Sequence, residues 1–276
     1  MPELPEVETV RRQLARSLVG KRFTAVEKVE PAMLRDCTEA QVRDLLPSRH
    51  VQSVHRQGKF LIVALDGVAF LTLHLGMTGH FLVAPTVSAA LTPHTRFLFS
   101  LEAVDGSRVR LEFRDMRKFG RLHLTLGAPA PRLQGLGPDA WTGEWDGDYL
   151  ARRLQGRKAA LKAFLLDQRH LAGIGNIYAD EILWWTRLSP LRPCGSVSAE
   201  EAALLAEEIP HRLGEGVRLL GCSFSDFVDT EGKAGGFQDW LRAYGKQGQD
   251  CVRCGDTLVR AVVSGRGTAY CPGCQH

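Results

Sequence analysis

The first twenty residues carry apolar side chains at a helical spacing. Val7, Val10, Leu14 and Leu18 recur three or four positions apart, while arginines occupy the opposite face. This spacing places the apolar side chains on one stripe of an α-helix, and Gly20 follows as a stop signal. The sequence therefore predicts a helix that begins almost at the first residue and buries one face.

Between residues 23 and 126 the pattern changes to short runs rich in β-branched and aromatic residues. Asp66-Gly67 and Asp105-Gly106 separate consecutive runs, and such dipeptides are typical of tight hairpin turns. The pattern predicts an antiparallel β-sandwich or barrel. The predicted strands span residues 23–29, 51–56, 60–65, 68–75, 97–101, 108–113 and 121–126.

A stretch of glycine, proline and alanine at residues 127–131 ends this pattern, and helical spacing follows at residues 149–154, 159–166, 177–185 and 199–220. Ser198 and Glu201 form a predicted capping box for the last helix, and Pro210 is expected to kink it. We therefore predict an α+β multidomain protein. Its expected parts are a β-sandwich domain of residues 1–131, a helical domain of residues 132–238 and a short module of residues 239–276.

Four cysteines near the end of the chain have the spacing of a zinc site. Cys251, Cys254, Cys271 and Cys274 form C-x2-C-x16-C-x2-C, which matches four thiolates around one tetrahedral Zn²⁺. Such a site is structural, because no position remains open for a reacting water. Two disulfides are the rival interpretation, but the chain begins with no secretory signal pattern, which favours a reducing, cytoplasmic location.

Charge and hydropathy bear on whether the protein binds a polyanion or crosses a membrane. The 276 residues carry 35 Lys and Arg against 31 Asp and Glu, a net charge of +4, so only local clusters are strongly basic. Such clusters suit a polyanion surface, although solvated helix faces produce similar runs. No apolar stretch approaches the ~18 residues of a membrane span. The basic residues cluster at Arg114, Arg117, Lys118 and Arg121, and at Arg152, Arg153, Arg157, Lys158 and Lys162.

The N-terminus offers a nucleophile. Removal of Met1 would expose Pro2 as a secondary amine, which can attack a sugar C1′ and form a cationic iminium that promotes elimination. Glu3 beside it can transfer protons. Ordinary helix capping explains the same residues equally simply. From these residues alone, capping is the stronger interpretation.

Other candidate residues also have a structural alternative. Lys59 fits an edge-strand lysine as well as a catalytic group. Met77, Arg117 and Phe119 suit wedges that fill a vacated base stack, but core packing would explain Met77 and Phe119. Asn176 lies in a glycine-rich turn that can bind phosphate or simply join two helices. A second phosphate contact is Arg266, near the tip of a predicted hairpin between the cysteine pairs, where a solubilising surface arginine is equally reasonable.

These segments together resemble the bacterial formamidopyrimidine-DNA glycosylase family over essentially the whole chain. The resemblance implies a β-sandwich domain, a helix-two-turn-helix domain and a zinc-finger hairpin, with double-stranded DNA bound in the cleft between the halves. It also implies one structural zinc ion and a monomer. The matching segments are Pro2-Glu-Leu-Pro-Glu-Val-Glu8, Gln57-Gly-Lys59, His74-Leu-Gly-Met-Thr-Gly79, Arg117-Lys-Phe-Gly120, Gly173-Ile-Gly-Asn-Ile-Tyr-Ala179, residues 229–238 and the cysteine framework with Arg266.

The resemblance implies a role for each matching residue. Pro2 corresponds to the Schiff-base nucleophile, Glu3 to the proton donor for base release and Lys59 to the acid or base of β-elimination. Arg266 corresponds to the donor that aids δ-elimination. Residues 229–237 would cap an extruded 8-oxoguanine or ring-opened purine, and abasic DNA would also be a substrate. The implied DNA contacts are His74, His94, Arg117, Arg153, Lys158 and Asn176, with Met77, Arg117 and Phe119 as the void-filling trio.

Two rival functions stay open at this point. A sister group resembling endonuclease VIII performs the same amine chemistry on oxidised pyrimidines, but Leu4 and the complete wedge trio favour the purine enzyme. A catalytically silent zinc-dependent DNA-binding protein would need neither Pro2 nor Lys59. Gly236 and Ala269 depart from the usual residues of the family, which affects details of base recognition and hairpin packing.

Overall fold

A computed structural model describes residues 2–85, 92–224 and 227–276. The chain forms two compact units. The first, here called the sandwich unit, comprises Met1–Gln134 and Leu219–Gly236, and the second, the helical unit, comprises Gly135–Arg218 and Phe237–His276. Among the described residues, no helix has the length and apolar character needed to cross a membrane.

The described residues of the sandwich unit form two α-helices and two sheets. The first sheet has the strand order β1-β7-β8-β6 and the second has the order β2-β9-β5-β4-β3, with all pairs antiparallel except β2–β9. The elements are α1 (Leu4–Leu18), β1 (Arg22–Lys28), β2 (Leu34–Arg35), α2 (Glu39–Leu45), β3 (Val51–Gln57), β4 (Phe60–Leu65), β5 (Ala69–His74), β6 (His80–Pro85), β7 (Thr95–Glu102), β8 (Arg108–Arg114) and β9 (Arg121–Leu126).

The core of this unit follows the alternation of the strands and the stripe of α1. Val7, Val10, Leu14 and Leu18 are buried in one cluster with the inner faces of the strands. The predicted first helix and the predicted sandwich are therefore confirmed. The sequence pattern missed the short strand β2, the helix α2 and the strand β6. The six residues of β6 include one fully buried side chain, Phe81, so its apolar alternation is weak.

The helical unit contains four helices and one hairpin. These are α3 (Gly147–Leu154), α4 (Leu161–Leu166), α5 (Asn176–Trp185), α6 (Ala199–Arg218), β10 (Val259–Val263) and β11 (Arg266–Tyr270). The predicted capping box of α6 is confirmed: the Ser198 amide donates to Glu201 Oε2 at 2.8 Å, and the Glu201 amide donates to Ser198 Oγ at 3.2 Å. Pro210 lies inside α6, which continues to Arg218.

Two segments pack differently from the predicted division of the chain. Residues 219–236, expected in the helical domain, belong to the sandwich unit, where Gln13 of α1 contacts Asp229 and Thr230 through its side-chain amide. Residues 239–276, expected as a separate module, belong to the helical unit, where Glu181 of α5 accepts hydrogen bonds from three successive amides at residues 242–244. Long-range polar contacts of this kind leave no local sequence signal.

Candidate active site and metal centre

The N-terminal residues are buried at the start of α1. Pro2 is buried and Glu3 is 1% exposed. Glu3 has an extended backbone as the N-cap of α1, and its amide donates to Glu6 Oε2 at 2.7 Å. Capping is thus present, but a capping residue is usually solvated, and a buried carboxyl group beside a buried proline is unusual. Met1 lies outside the described residues.

Glu6 joins the N-terminus to residues 219–236 of the same unit. Its Oε1 accepts the Cys222 amide at 2.7 Å, while Oε2 accepts the Glu3 amide. Burial, and then the charge of Glu3, raise the pKa of Glu6 to about 7. Gly221 approaches so closely that a Cβ there would lie 2.7 Å from Glu6 Cγ. Glu6 therefore holds the segment that carries Pro2 in one position, a role that sequence reasoning missed.

Lys59 occupies a hairpin turn and not an edge strand. Gln57 pairs with Phe60, so Gly58 and Lys59 form the two-residue connection, and Gly58 has the positive φ of 54° that favours glycine. Lys59 is 7% exposed. The interpretation as a solvated edge lysine is therefore wrong. Burial of a charged ammonium group is costly unless the group is paired and hydrogen-bonded.

A salt bridge and a hydrogen bond connect this turn to α1. Glu8 Oε2 accepts Arg56 Nε at 3.1 Å, and Arg56 donates through its other nitrogen to the Gly58 carbonyl at 2.9 Å. Burial alone would raise the pKa of Glu8, but hydrogen bonds from Arg11 and Arg12 outweigh it and lower the value. The ionised Glu8 thus fixes the Lys59 turn relative to the helix that begins beside Pro2.

His74 lies on β5 next to the Lys59 turn. Its ring contacts Phe60 with a centroid distance of 4.8 Å. Burial, and then the charge of Lys59, lower the pKa of His74 to about 4, so the ring is neutral at physiological pH. The Gly76 amide donates to His74 Nδ1 at 3.1 Å. The ring proton is therefore on Nε2, which makes His74 a neutral hydrogen-bond donor that suits a phosphate oxygen.

The three predicted wedge residues lie on two adjoining turns. Phe119 is 45% exposed, and the Arg117 guanidinium lies 4.8 Å from the centre of its ring. Core packing therefore does not explain Phe119. Met77 is half-buried. An exposed aromatic ring beside an arginine suits insertion between bases.

Asp115 organises these two turns and was not anticipated from the sequence. It is fully buried, and its carboxylate accepts hydrogen bonds from the Thr78 hydroxyl at 2.5 Å, the Arg117 amide at 3.2 Å and the Gly120 amide at 2.7 Å. The Asp115 amide in turn donates to the carbonyl of His94, whose own side chain is exposed. One carboxylate therefore sets the relative position of all three wedge residues.

We predict that Asp115→Ala disorders both turns, because two amides and one hydroxyl lose their acceptor. The expected loss of unfolding free energy is about 2–3 kcal/mol, measured by urea denaturation. An unchanged unfolding free energy would contradict the assigned role.

The helical unit carries the other predicted DNA contacts on its surface. Arg153 is exposed and stacks on Tyr149 at 5.3 Å, and Lys158 is exposed in the connection from α3 to α4. Asn176 begins α5, and its Nδ2 donates to the Gly267 carbonyl at 3.1 Å. The Asn176 side chain thus joins the glycine-rich turn to the hairpin that carries Arg266.

A buried ion pair fixes the same hairpin. Lys162 Nζ lies 2.6 Å from Asp180 and donates to the Gly267 carbonyl at 3.1 Å and the Thr268 hydroxyl at 2.9 Å. Burial raises the pKa of Asp180 to about 7, against the opposing effect of Lys162. Arg266, next to these contacts, is exposed directly after the Ser264-Gly265 turn. The exposed guanidinium is therefore presented from a rigid strand.

The four predicted zinc ligands converge at the base of this hairpin. Their sulfur atoms all lie within 4.8 Å of one another, with Cys251–Cys274 at 3.8 Å and Cys254–Cys271 at 3.3 Å. A tetrahedron with Zn–S bonds of about 2.3 Å has sulfurs about 3.8 Å apart. All seven cysteines are free thiols, so the alternative of two disulfides is wrong. The donor set fits one structural zinc ion.

The surroundings of the cluster also suit thiolates. Arg253 lies 3.7 Å from Cys274 Sγ and stacks on Trp184 at 3.8 Å. Burial opposes ionisation of Cys251, but the amides of Arg253 and Cys254 favour its thiolate and lower its pKa to about 6. Cys251, Cys271 and Cys274 are buried with Trp184, Ala243 and Leu258, whereas Cys254 is exposed. Metal binding would therefore hold the hairpin against α5.

Three family models match successive parts of the chain. The formamidopyrimidine-DNA glycosylase N-terminal domain matches residues 1–122, and the H2TH domain of the same enzymes matches residues 136–228. A zinc finger found in FPG and IleRS matches residues 248–276. The matches follow one another in the order of the three segments predicted from the sequence.

Relatives and solved structures are similar over the full length. The formamidopyrimidine-DNA glycosylase of Carboxydothermus hydrogenoformans is 39% identical and that of Geobacillus kaustophilus 40% identical, with 100% of both chains covered in each comparison. The crystal structure of MutM (FPG) from Thermus thermophilus has a TM-score of 0.87 at 42% identity, covering 99% of this chain and 98% of that one. A Lactococcus lactis FPG mutant in complex with Fapy-dG DNA has a TM-score of 0.91 at 31% identity, with both chains covered completely.

Proposed function

The chain belongs to the formamidopyrimidine-DNA glycosylase family, and on that premise we propose that it excises oxidised purines from duplex DNA and then cleaves the abasic strand. The zinc ion would be held by Cys251, Cys254, Cys271 and Cys274 and would supply folding free energy to the hairpin, with no part in bond breaking. The observation that carries the proposal is the buried Pro2–Glu3 start of α1, connected through Glu8 and Arg56 to the turn of Lys59.

Base excision begins at the Pro2 nitrogen once Met1 is removed. Its lone pair forms a bond to C1′ of the damaged nucleotide, while the N-glycosidic bond breaks and its electron pair leaves with the base. Glu3 gives a proton to the leaving group or the opening sugar ring. Loss of the Pro2 proton leaves a neutral tertiary amine. Its lone pair then breaks the C1′–O4′ bond, O4′ takes up a proton, and a cationic iminium between C1′ and the Pro2 nitrogen remains. Burial of Pro2 and Glu3 excludes water that would otherwise solvate both groups.

Strand cleavage follows from the same iminium. Removal of a C2′ proton sends an electron pair toward the cationic nitrogen, and the C3′–O bond breaks to release the 3′ phosphate. Lys59 is the proposed acid or base for this β-elimination, and Arg266 the proposed donor to the phosphate that leaves in the second, δ-elimination. Water then hydrolyses the remaining imine and frees Pro2.

DNA contacts are proposed from both units. Neutral His74 would donate to a phosphate oxygen, and Asn176 would position the hairpin that carries Arg266. Met77, Arg117 and Phe119 would fill the space left by the extruded base. Residues 229–237 would close over that base. The exposed side chains of His94, Arg153 and Lys158 complete the proposed backbone contacts.

We expect incision of a duplex with 8-oxoguanine opposite cytosine to exceed incision of a duplex with an oxidised thymine by at least tenfold at equal enzyme concentration. Gel separation of the products measures both rates, and an abasic duplex reports cleavage without base excision. Faster incision of the oxidised thymine would favour the endonuclease VIII-like alternative. Absence of incision on all three duplexes would favour the silent DNA-binding alternative.

A further inference from the structure

One face of the five-stranded sheet carries arginine side chains that the proposed reaction does not use. The pairing register places His74 opposite Arg121 and Thr72 opposite His123. His123 is in turn opposite Arg35 of β2. Paired residues, and residues two apart along a strand, project from the same face of a sheet. These side chains therefore share the face that carries His74.

A further arginine reaches this face from the segment after β9. The Ala130 amide donates to the Thr72 hydroxyl at 3.3 Å, which anchors that segment over the same strands. Arg132 follows two residues later and is exposed. On the other side of β5, His74 pairs with Phe60 of β4, and Lys59 directly precedes Phe60. Arg121 and Arg132 thus lie on the same face of the sheet as the proposed phosphate contact of His74.

The three arginines have no carboxylate partner among the described residues. Arg121 donates to the carbonyls of Lys118 and Gly120 at 2.8 and 2.6 Å, and Arg35 donates to the carbonyl of Ala32 at 3.1 Å. Carbonyl contacts orient a guanidinium but leave its charge in place. Asp36 adjoins this face, yet its carboxylate pairs with His123 at 2.7 Å.

The positive charges on this face also affect one another's pKa values. Burial, and then the charge of Arg35, lower the pKa of Arg121. Arg132 and Arg121 also contribute to the lowered pKa of His74, after burial and Lys59. Because neighbouring positive charges disfavour the charged form of each group, a bound anion would stabilise them.

We propose that Arg121 and Arg132, with Arg35 beside them, bind one DNA backbone phosphate beyond the phosphate that His74 contacts. The inference rests on the proposed function, since it names a further part of the same DNA surface. A phosphodiester is the fitting ligand because guanidinium forks bind its oxygens in pairs, and neighbouring strands about 4.8 Å apart align these forks with the His74 contact.

The test is the salt dependence of DNA binding. Dissociation constants for a duplex with an uncleavable tetrahydrofuran site, and for an undamaged duplex, are measured by fluorescence anisotropy across a range of salt concentrations. Loss of one phosphate contact lowers the slope of log affinity against log salt by about 0.9. We expect this drop for Arg121→Gln and for Arg132→Gln on both duplexes, and an unchanged slope for Arg121→Lys.

Arg108→Gln is the matched control. Arg108 is exposed and lies at the other end of β8 from the wedge turns, so its loss removes the same charge from a different place. An equal drop in slope for Arg108→Gln, or no drop for Arg132→Gln, would overturn the proposal. Arg132 is exposed and forms no side-chain hydrogen bond or ion pair among the described residues, so its variant separates lost binding from misfolding.

Incision of 8-oxoguanine by the unaltered protein is measured in parallel. Because the slopes report binding alone, a protein that incises normally but shows no drop for the two variants refutes only the phosphate site. A protein that fails to incise but shows the drop refutes only the proposed reaction.

Discussion

Glu3→Gln is expected to lower excision of 8-oxoguanine by about 10²–10⁴-fold, the usual contribution of a positioned general acid. The glutamine side chain has nearly the same shape but no proton to give to the departing base. Cleavage of a duplex that already contains an abasic site should change by less than tenfold, because no base has to leave. Single-turnover rates on the two duplexes measure this separation.

The Glu3 variant needs a control for protein stability. Glu3 is 1% exposed and caps α1, so loss of stability has to be distinguished from loss of chemistry. A destabilised variant would lose both activities together. If the variant loses activity equally on the 8-oxoguanine duplex and on the abasic duplex while its thermal unfolding is unchanged, Glu3 is not the proton donor for base release.

Removal of the metal is expected to have the second large effect. Structural zinc contributes ~10–16 kcal/mol in small zinc domains, and the hairpin strands have only five residues each. Cys271→Ala should therefore release zinc and unfold the hairpin. Lys162 and Asn176 would lose their contacts to Gly267 and Thr268, and Asp180 would lose the hydrogen bond that it accepts from the Ala269 amide. Affinity for abasic-analogue DNA at fixed salt should fall by at least 100-fold.

A free cysteine outside the cluster supplies the comparison for this variant. Cys194→Ala removes a buried thiol of the same unit but no zinc ligand. It should keep one zinc per chain by elemental analysis and should bind DNA normally. Unchanged DNA affinity of Cys271→Ala would show that the hairpin does not depend on the metal.

Local patterns in the sequence were sufficient for most of the fold. The apolar stripe of Val7, Val10 and Leu14 predicted α1, and the two Asp-Gly dipeptides predicted the hairpins β4–β5 and β7–β8. The cysteine spacing predicted the ligand cluster, because four thiolates two and sixteen residues apart satisfy one ion. These features depend on neighbours along the chain, which a sequence displays directly.

The contacts that position the site were not predictable in the same way. Glu6 reaches Cys222 across 216 residues, and Asp115 holds Thr78 from 37 residues away. Nothing in the sequence distinguishes Glu8 and Arg56 from other polar residues of a helix and a strand, and only the structure shows the salt bridge between them. Burial of Lys59 likewise depends on tertiary packing, so local sequence favoured a solvated lysine. The resemblance to a family identified the reacting residues, whereas the structure supplied the groups that hold them.

The covalent bond at Pro2 is the central claim, and borohydride trapping tests it most directly. Demethionylated protein is mixed with a duplex that has 8-oxoguanine opposite cytosine, reduced with borohydride and digested, and the peptide joined to DNA is identified by mass spectrometry. We predict one adduct, on the nitrogen of Pro2, and none for protein whose N-terminus is acetylated. An adduct on Lys59, or incision at the normal rate by the acetylated protein, would contradict the account.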